Sequence, residues 1–283
     1  VNEADRVTRL SCPGLDSRVS ILRLGTEVDA MFVLTERFGV LVDTLSTPDA
    51  CRQALELVAD DLGGRRLLVV NSHMDWDHFW GNSALPEGTC IFAHVAARDR
   101  LPKSQDELWR KAADEPRFAG ITLVPPNLTF ATDLHLDGGD LVLELMHTPG
   151  HTPDHLCVWI PAMRTCLAMD CVEYPVPEVW SDHPADLAAL RRSLVRIRNL
   201  HADIVLPAHG GTFSPDIVDQ NIAYFDLLVD RADALARTSS DADLSTSSGL
   251  QLEDLLPNAG EMSPLYRGFH AANLRAAIRM HNE

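Results

Sequence analysis

The chain has 283 residues, which at roughly 150 residues per domain suits two domains or one large α/β unit. Apolar residues make up 46% and charged residues 23%, enough apolar surface for a sizeable core, so general disorder is excluded. Lys and Arg total 24 against 41 Asp and Glu, a net charge of −17 that disfavours nucleic acid or an anionic lipid surface as a partner.

No apolar run approaches the ~20 residues needed to cross a bilayer. Residues 1–6 hold no basic stretch followed by an apolar one, so no signal peptide is expected. The cysteines at 12, 51, 90, 157, 166 and 171 show no C-x-x-C spacing and read as buried thiols of a reducing, cytoplasmic protein.

Short strands are expected first, over 19–24, 30–34 and 38–43. Thr47-Pro48 reads as an N-cap with proline at the first helical position. The helix it opens carries Ala50, Ala54, Leu57, Val58 and Leu62 and stops at Gly63-Gly64. Leu67 to Val70 is a continuous apolar run suited to a strand covered on both faces. The next helix is expected just after the histidine-rich segment that follows. From Arg98 to Pro126 the pattern loosens, and Ser104-Gln105-Asp106-Glu107 matches a capping box opening a short helix through Trp109. This nearly neutral stretch is either a cover over a site or a surface excursion.

Asp137-Gly138-Gly139-Asp140 is a hairpin-type turn between two strands. Strands over 156–160 and ending at Met169 follow, then a helix marked by Leu187, Leu190, Leu194 and Ile197 and a strand over 204–206. Ser214-Pro215 starts a long helix. Residues 238–249, with seven Ser or Thr in twelve positions, read as a linker. A last helix with Leu265, Phe269, Ala272 and Ala276 on one face is expected to pack back on the body. Strands, helices and a second strand set suggest two β layers with helices outside.

The segment Asn71 to Asn82 carries the chemistry. His73, Asp75, Asp77 and His78 put four potential ligands within six residues, directly after the buried strand. Three further pieces follow. Thr148-Pro149-Gly150-His151 lies 78 residues after His73, Ala168-Met169-Asp170 lies 19 beyond that, and Leu206-Pro207-Ala208-His209 a further 39. Each sets an imidazole or carboxylate at an expected strand end, where Gly or Pro lets the backbone turn.

Together these pieces resemble the metallo-β-lactamase-fold superfamily. That family's first motif, H-x-H-x-D-H, is His73-Met74-Asp75-Trp76-Asp77-His78 here. Its second histidine motif corresponds to His151, its bridging aspartate to Asp170 and its last histidine to His209. Asp43 resembles the family's aspartate behind the ligands. The resemblance spans about residues 20–210 and implies an α+β fold, an αββα four-layer sandwich with the site at one edge of the β layers. The expected organisation is such a domain over 1–237, the linker over 238–249 and C-terminal helices over 250–283 packed on the same domain.

Carried over by position, His73, Asp75, His151 and Asp170 would hold one metal, and Asp77, His78, Asp170 and His209 the other. Asp75 departs from the family, where most hydrolases have histidine, and its hard oxygen favours iron or manganese more than an imidazole does. Two divalent ions are expected, zinc first, with iron or manganese as alternatives. Among the neighbours, His147 reads as structural support, His155 and the pair Trp76 and Trp80 as local packing, and Cys171 as a weaker competitor of Asp170.

The resemblance implies a dinuclear metal hydrolase in which hydroxide attacks a carboxylic ester, lactone or thioester. Asp77 is the candidate to orient the nucleophile and shuttle its proton. Amide, β-lactam or phosphodiester hydrolysis, an iron-dependent oxidoreductase and a non-enzymatic binding protein are the alternatives. A small-molecule substrate is expected, with neither nucleic acid nor membrane as partner, and a homodimer is left open.

Overall fold

The computed structural model describes residues 5–237, 249–256 and 262–280, so all of the expected linker except Gly249 lies outside the described residues. The chain divides into two compact units, the first Val1–His147 with Asp154–Leu167, the second Thr148–Pro153 with Ala168–Glu283.

The first unit opens with β1 (Val7–Leu10), β2 (Val19–Leu24), β3 (Val28–Leu34) and β4 (Phe38–Val42), an antiparallel meander. Helix α1 (Pro48–Leu62) starts where expected, with Thr47 Oγ1 accepting from the Ala50 amide at 3.1 Å and Gly63 ending it in the left-handed region. It carries the chain over to β5 (Arg66–Val70), which pairs parallel to β4. Leu68, Val69 and Val70 are buried, as a strand covered on both faces requires.

Helix α2 (Trp76–Phe79) lies inside the histidine-rich segment rather than after it. Strand β6 (Cys90–His94) joins β5, and helix α3 (Ala97–Asp114) leads to β7 (Leu128–Phe130), completing a seven-stranded sheet in sequence order. α3 is longer than its capping-box reading: Ser104 sits in mid-helix, its hydroxyl donating to Arg100 O (3.1 Å) and Met74 O (3.3 Å). Leu108 and Ala97 of α3 join Met74, Phe79, Trp80 and Phe118 in one apolar cluster, so the loosely patterned stretch packs on the histidine-rich segment.

In the second sheet, β8 (Leu134–Asp137), β9 (Val142–His147), β10 (Leu156–Ile160) and β11 (Thr165–Leu167) run antiparallel in the order β11-β10-β9-β8. The turn between β8 and β9 is at the expected Asp137–Asp140, closed by Gly138 N to Leu141 O at 2.7 Å.

In the second unit, α4 (Pro184–Arg198), α5 (Asp216–Ala236), α6 (Leu252–Leu255) and α7 (Pro264–Met280) accompany β12 (Ile204–Leu206). Ala272 and Ala276 of α7 are buried as expected, together with His270, Asn273, Leu274 and Ala277, whereas Leu265 is 58% exposed. A polar chain fixes the helix: His270 bonds Leu250 O (2.7 Å) and the Tyr224 hydroxyl (2.9 Å), and Asn273 bonds that hydroxyl and Pro177 O. No disulfide joins the six cysteines. Among the described residues, no helix is long and apolar enough to cross a membrane.

Candidate metal centre

The first unit presents His73, Asp75, Asp77 and His78 from the end of β5. Asn71 leaves the strand with its amide on Phe92 O, and its side chain forms a reciprocal amide pair with Asn82. The loop after β4 closes on the same turn, through Thr44 N to His78 O (2.8 Å) and Gly81 N to Leu45 O (3.1 Å). Gly81 is required there, because a Cβ would meet Thr44 O at 1.9 Å.

Asp43 organises both histidines. It sits at the end of β4 with φ +66°, a conformation that Asp tolerates better than most residues. Its Oδ1 accepts from Ser72 N (2.7 Å), and its Oδ2 from Ser72 Oγ (2.6 Å) and His78 Nδ1 (2.8 Å). With the Ser72 proton committed to Asp43, Ser72 Oγ accepts from His73 Nδ1 at 2.9 Å. One buried carboxylate thus places a proton on Nδ1 of both rings and leaves each Nε2 with the lone pair a cation needs. The rings lie 4.0 Å apart between centroids, with His73 Nε2 3.4 Å from Asp75 Oδ2 and His78 Nε2 3.7 Å from Asp77 Oδ1.

Asp75 has a partner that no sequence motif announces. Arg100 of α3 hydrogen-bonds Asp75 Oδ1 through Nη2 and Asp154 Oδ1 through Nη1, the latter at 3.0 Å. Burial works against the guanidinium charge, but the two carboxylates outweigh it, so its pKa is raised. Glu107, also on α3, is pushed up by burial and by the charges of Asp75 and Asp77. Trp80 is fully buried, whereas Trp76 is half-buried with Lys111 Nζ 3.7 Å above its ring. His155 packs beside His73, and His147 stacks on His94 at 3.6 Å.

The second unit presents His151, Asp170 and His209. Gly150 carries φ +133°, and any Cβ there would strike Leu190 N of α4 at 2.1 Å. Ser193 of α4 holds Pro149 O at 2.7 Å, pinning the same loop. His151 Nδ1 donates to Glu178 O at 3.0 Å, again turning Nε2 toward a ligand role, 3.6 Å from Asp170 Oδ2. His209 Nε2 lies 3.3 Å from the same oxygen. Asp170 is in a short 3-10 turn, Met169–Cys171, with Met169 at φ +47°, so the expected strand ends earlier, at Leu167.

Glu173 is a further carboxylate that sequence reasoning missed. It is buried, accepts from the Tyr266 hydroxyl at 2.9 Å, and its pKa is pushed up to about 7 by burial, with Asp170 adding to the rise and His209 opposing it.

The seven expected ligand residues are among those able to supply metal-ligand atoms, four in the first unit and three in the second. Four imidazoles and three carboxylates, mostly buried, suit a divalent first-row ion: the nitrogen donors accept zinc, iron or manganese and the oxygens add charge balance.

A model of the metallo-beta-lactamase superfamily matches residues 24–209. Among curated proteins, the chain is 33% identical over 78 residues to a beta-lactamase-like protein 2 homolog of Caenorhabditis elegans, covering 28% of this chain and 24% of that one. It is 30% identical over 102 residues to a hydroxyacylglutathione hydrolase of Nitrosococcus oceani, covering 35% and 31%. The chain therefore matches about a third or less of each relative's length. Among solved structures, a beta-lactamase domain protein from Burkholderia ambifaria superposes with a TM-score of 0.68 at 18% identity, covering 98% of this chain and 88% of that one. The sec-alkylsulfatase Pisa1 from Pseudomonas sp. gives 0.64 at 16% identity, covering 94% and 49%. Likeness at this level is one of fold, and the fold is the expected α+β, αββα sandwich.

Proposed function

The chain belongs to the metallo-beta-lactamase superfamily, and on that premise we propose that it is a dinuclear metal-dependent hydrolase of a carboxylic ester, lactone or thioester. In this reading His73, Asp75, His151 and Asp170 hold one divalent ion and Asp77, His78, Asp170 and His209 the second, with zinc first and iron or manganese as alternatives. The observation that supports it most is the Asp43–Ser72 relay, which fixes Nδ1 as the protonated atom of both His73 and His78. Nothing in the packing of the strand end calls for a buried carboxylate and hydroxyl spent on two ring orientations, whereas metal ligation does.

When bound, such ions lower the pKa of a water molecule and polarise the carbonyl under attack. Asp77, on the same turn as His78, orients the water and holds its proton on the carboxylate. Asp43 keeps the two imidazoles from rotating, and the Glu178 carbonyl does the same for His151. The likeness to a hydroxyacylglutathione hydrolase supports a thioester within the substrate class. We propose a small-molecule substrate, neither nucleic acid nor membrane as partner, and a cytoplasmic setting.

The test is a panel of aryl and alkyl esters, lactones and glutathione thioesters, run on metal-stripped protein and after reloading with zinc, manganese or iron. Metal-dependent turnover of at least one class is expected. Reloaded protein that binds metal but cleaves none of them, or that instead consumes dioxygen, would overturn the reading.

A further inference from the structure

Asp75 stands where the family's motif has its second histidine. A carboxylate brings a negative charge that a neutral imidazole does not, and two oxygens in place of one nitrogen. The second difference has a counterpart in the structure. Arg100 is 7% exposed, and its planar fork spans two carboxylates, Nη2 on Asp75 Oδ1 and Nη1 on Asp154 Oδ1 at 3.0 Å. Asp154 is itself only 1% exposed. The remaining oxygen of Asp75, Oδ2, is the one facing His73 Nε2, at 3.4 Å. The two oxygens of one side chain thus have separate duties. At the N-cap position of α2 a carboxylate commonly accepts backbone amides, and Asp75 makes no such bond.

Arg100 is held firmly enough to impose this. It lies on α3, three residues after Ala97 and eight before Leu108, both buried in the cluster that includes Met74, Phe79 and Trp80. The Ser104 hydroxyl bonds Met74 O, tying the same helix to the motif backbone. A guanidinium can satisfy both carboxylates because its donors diverge in a fixed plane; an ammonium carries its charge at one point and cannot reproduce the fork.

We infer that Arg100 is a positioning residue for the metal site: it takes Asp75 Oδ1 so that Asp75 ligates through Oδ2 alone. The inference rests on the metal-centre reading above. It changes the expectation drawn from sequence, where a carboxylate at 75 moved the site toward harder ions. With one oxygen occupied, Asp75 behaves as a one-atom ligand, as the imidazole it replaces would. Two-oxygen chelation, which favours manganese and iron over zinc, is held off.

The experiment compares wild-type protein with the double variant Arg100→Met/Asp154→Asn, in which the guanidinium and the buried charge it would strand are removed together. Manganese and zinc affinities are measured by competition on the metal-stripped full-length chains, and cobalt-loaded protein is examined by visible absorption. The ratio of manganese to zinc affinity is the readout, because general loosening of the site weakens both ions alike. It should move toward manganese at least ~10-fold, in the range seen when an outer partner of a ligand is lost. The cobalt bands should weaken as coordination number rises. Arg100→Lys, which keeps a cation beside Asp154 but not the fork, should move both readouts in the same direction, and it covers the case in which the double variant does not fold. If the variants bind metal with the wild-type ratio and spectrum, Arg100 only supports the fold and the inference is wrong. Wild-type protein that binds no divalent ion would instead overturn the metal-centre reading, and this inference with it.

Discussion

Replacing Asp43 by Asn isolates what the buried carboxylate does, because Asn has nearly the same shape and tolerates φ +66°. Three donors converge on Asp43: Ser72 N on Oδ1, and Ser72 Oγ and His78 Nδ1 on Oδ2. An amide can satisfy only one side. Placing its oxygen at the Oδ2 position keeps two of the bonds but turns an NH2 group against the Ser72 N–H. That leaves a buried donor unsatisfied, worth ~1–3 kcal/mol, and weakens the other two from charge-assisted to neutral bonds, at about 0.5–1 kcal/mol each. The expected loss is therefore about 2–5 kcal/mol in the metal-free protein, measured by urea denaturation. Because His73 and His78 both lose the group that fixes their tautomer, metal affinity should fall a further ~10–100-fold by competition titration. A variant within ~0.5 kcal/mol of wild type, with unchanged metal affinity, would refute the relay.

Four further substitutions test other residues. Gly150→Ala should cost several-fold in metal affinity and lower the melting temperature, since its Cβ would lie 2.1 Å from Leu190 N; an unchanged protein would show that α4 does not fix the His151 loop. Asp170→Ala should lose at least one metal and nearly all hydrolysis while Cys171→Ser keeps both, as metal content and turnover would show; the reverse would move the ligand to Cys171. Burial lowers the His270 pKa, so the folded protein resists the proton that the unfolded chain takes up near 6.5. Stability from this group is present above that value and lost as pH falls below it. His270→Gln should flatten the decline between pH 7 and 5 in denaturation series, and an identical slope would remove His270 from the pH response.

The candidate ligand residues were legible because four of them crowd into six positions after an unbroken apolar run, and because His151 and His209 each stand beside a Gly shortly after a strand. Thr47-Pro48 and the Asp137–Asp140 turn were readable for a similar reason: their chemistry is local. What escaped was set by tertiary contact. Arg100 reaches Asp75 from 25 residues away on a helix of low apolar content, and its only trace in the sequence is a concentration of basic residues within an acidic chain. Ser104 imitates a cap but serves as a mid-helix strut to Met74. Asp154 could have been suspected from its place between His151 and His155. In α7 apolar periodicity pointed to Leu265, whereas the buried face is set by two polar residues, His270 and Asn273, whose bonds to Tyr224, Leu250 and Pro177 no hydropathy pattern reveals. Glu173 and Tyr266 meet across 93 residues, a contact of the same kind.

The central claim is that this chain works through a pair of metal ions, and the most direct measurement is the metal content of protein purified without added metal, read by elemental mass spectrometry beside its rate of ester and thioester hydrolysis. Seven candidate ligand residues exceed what one tetrahedral ion can use, so about two equivalents per chain are expected in the active protein, with activity lost on chelation and restored on reloading. Fully active protein holding one equivalent, or none, would contradict it.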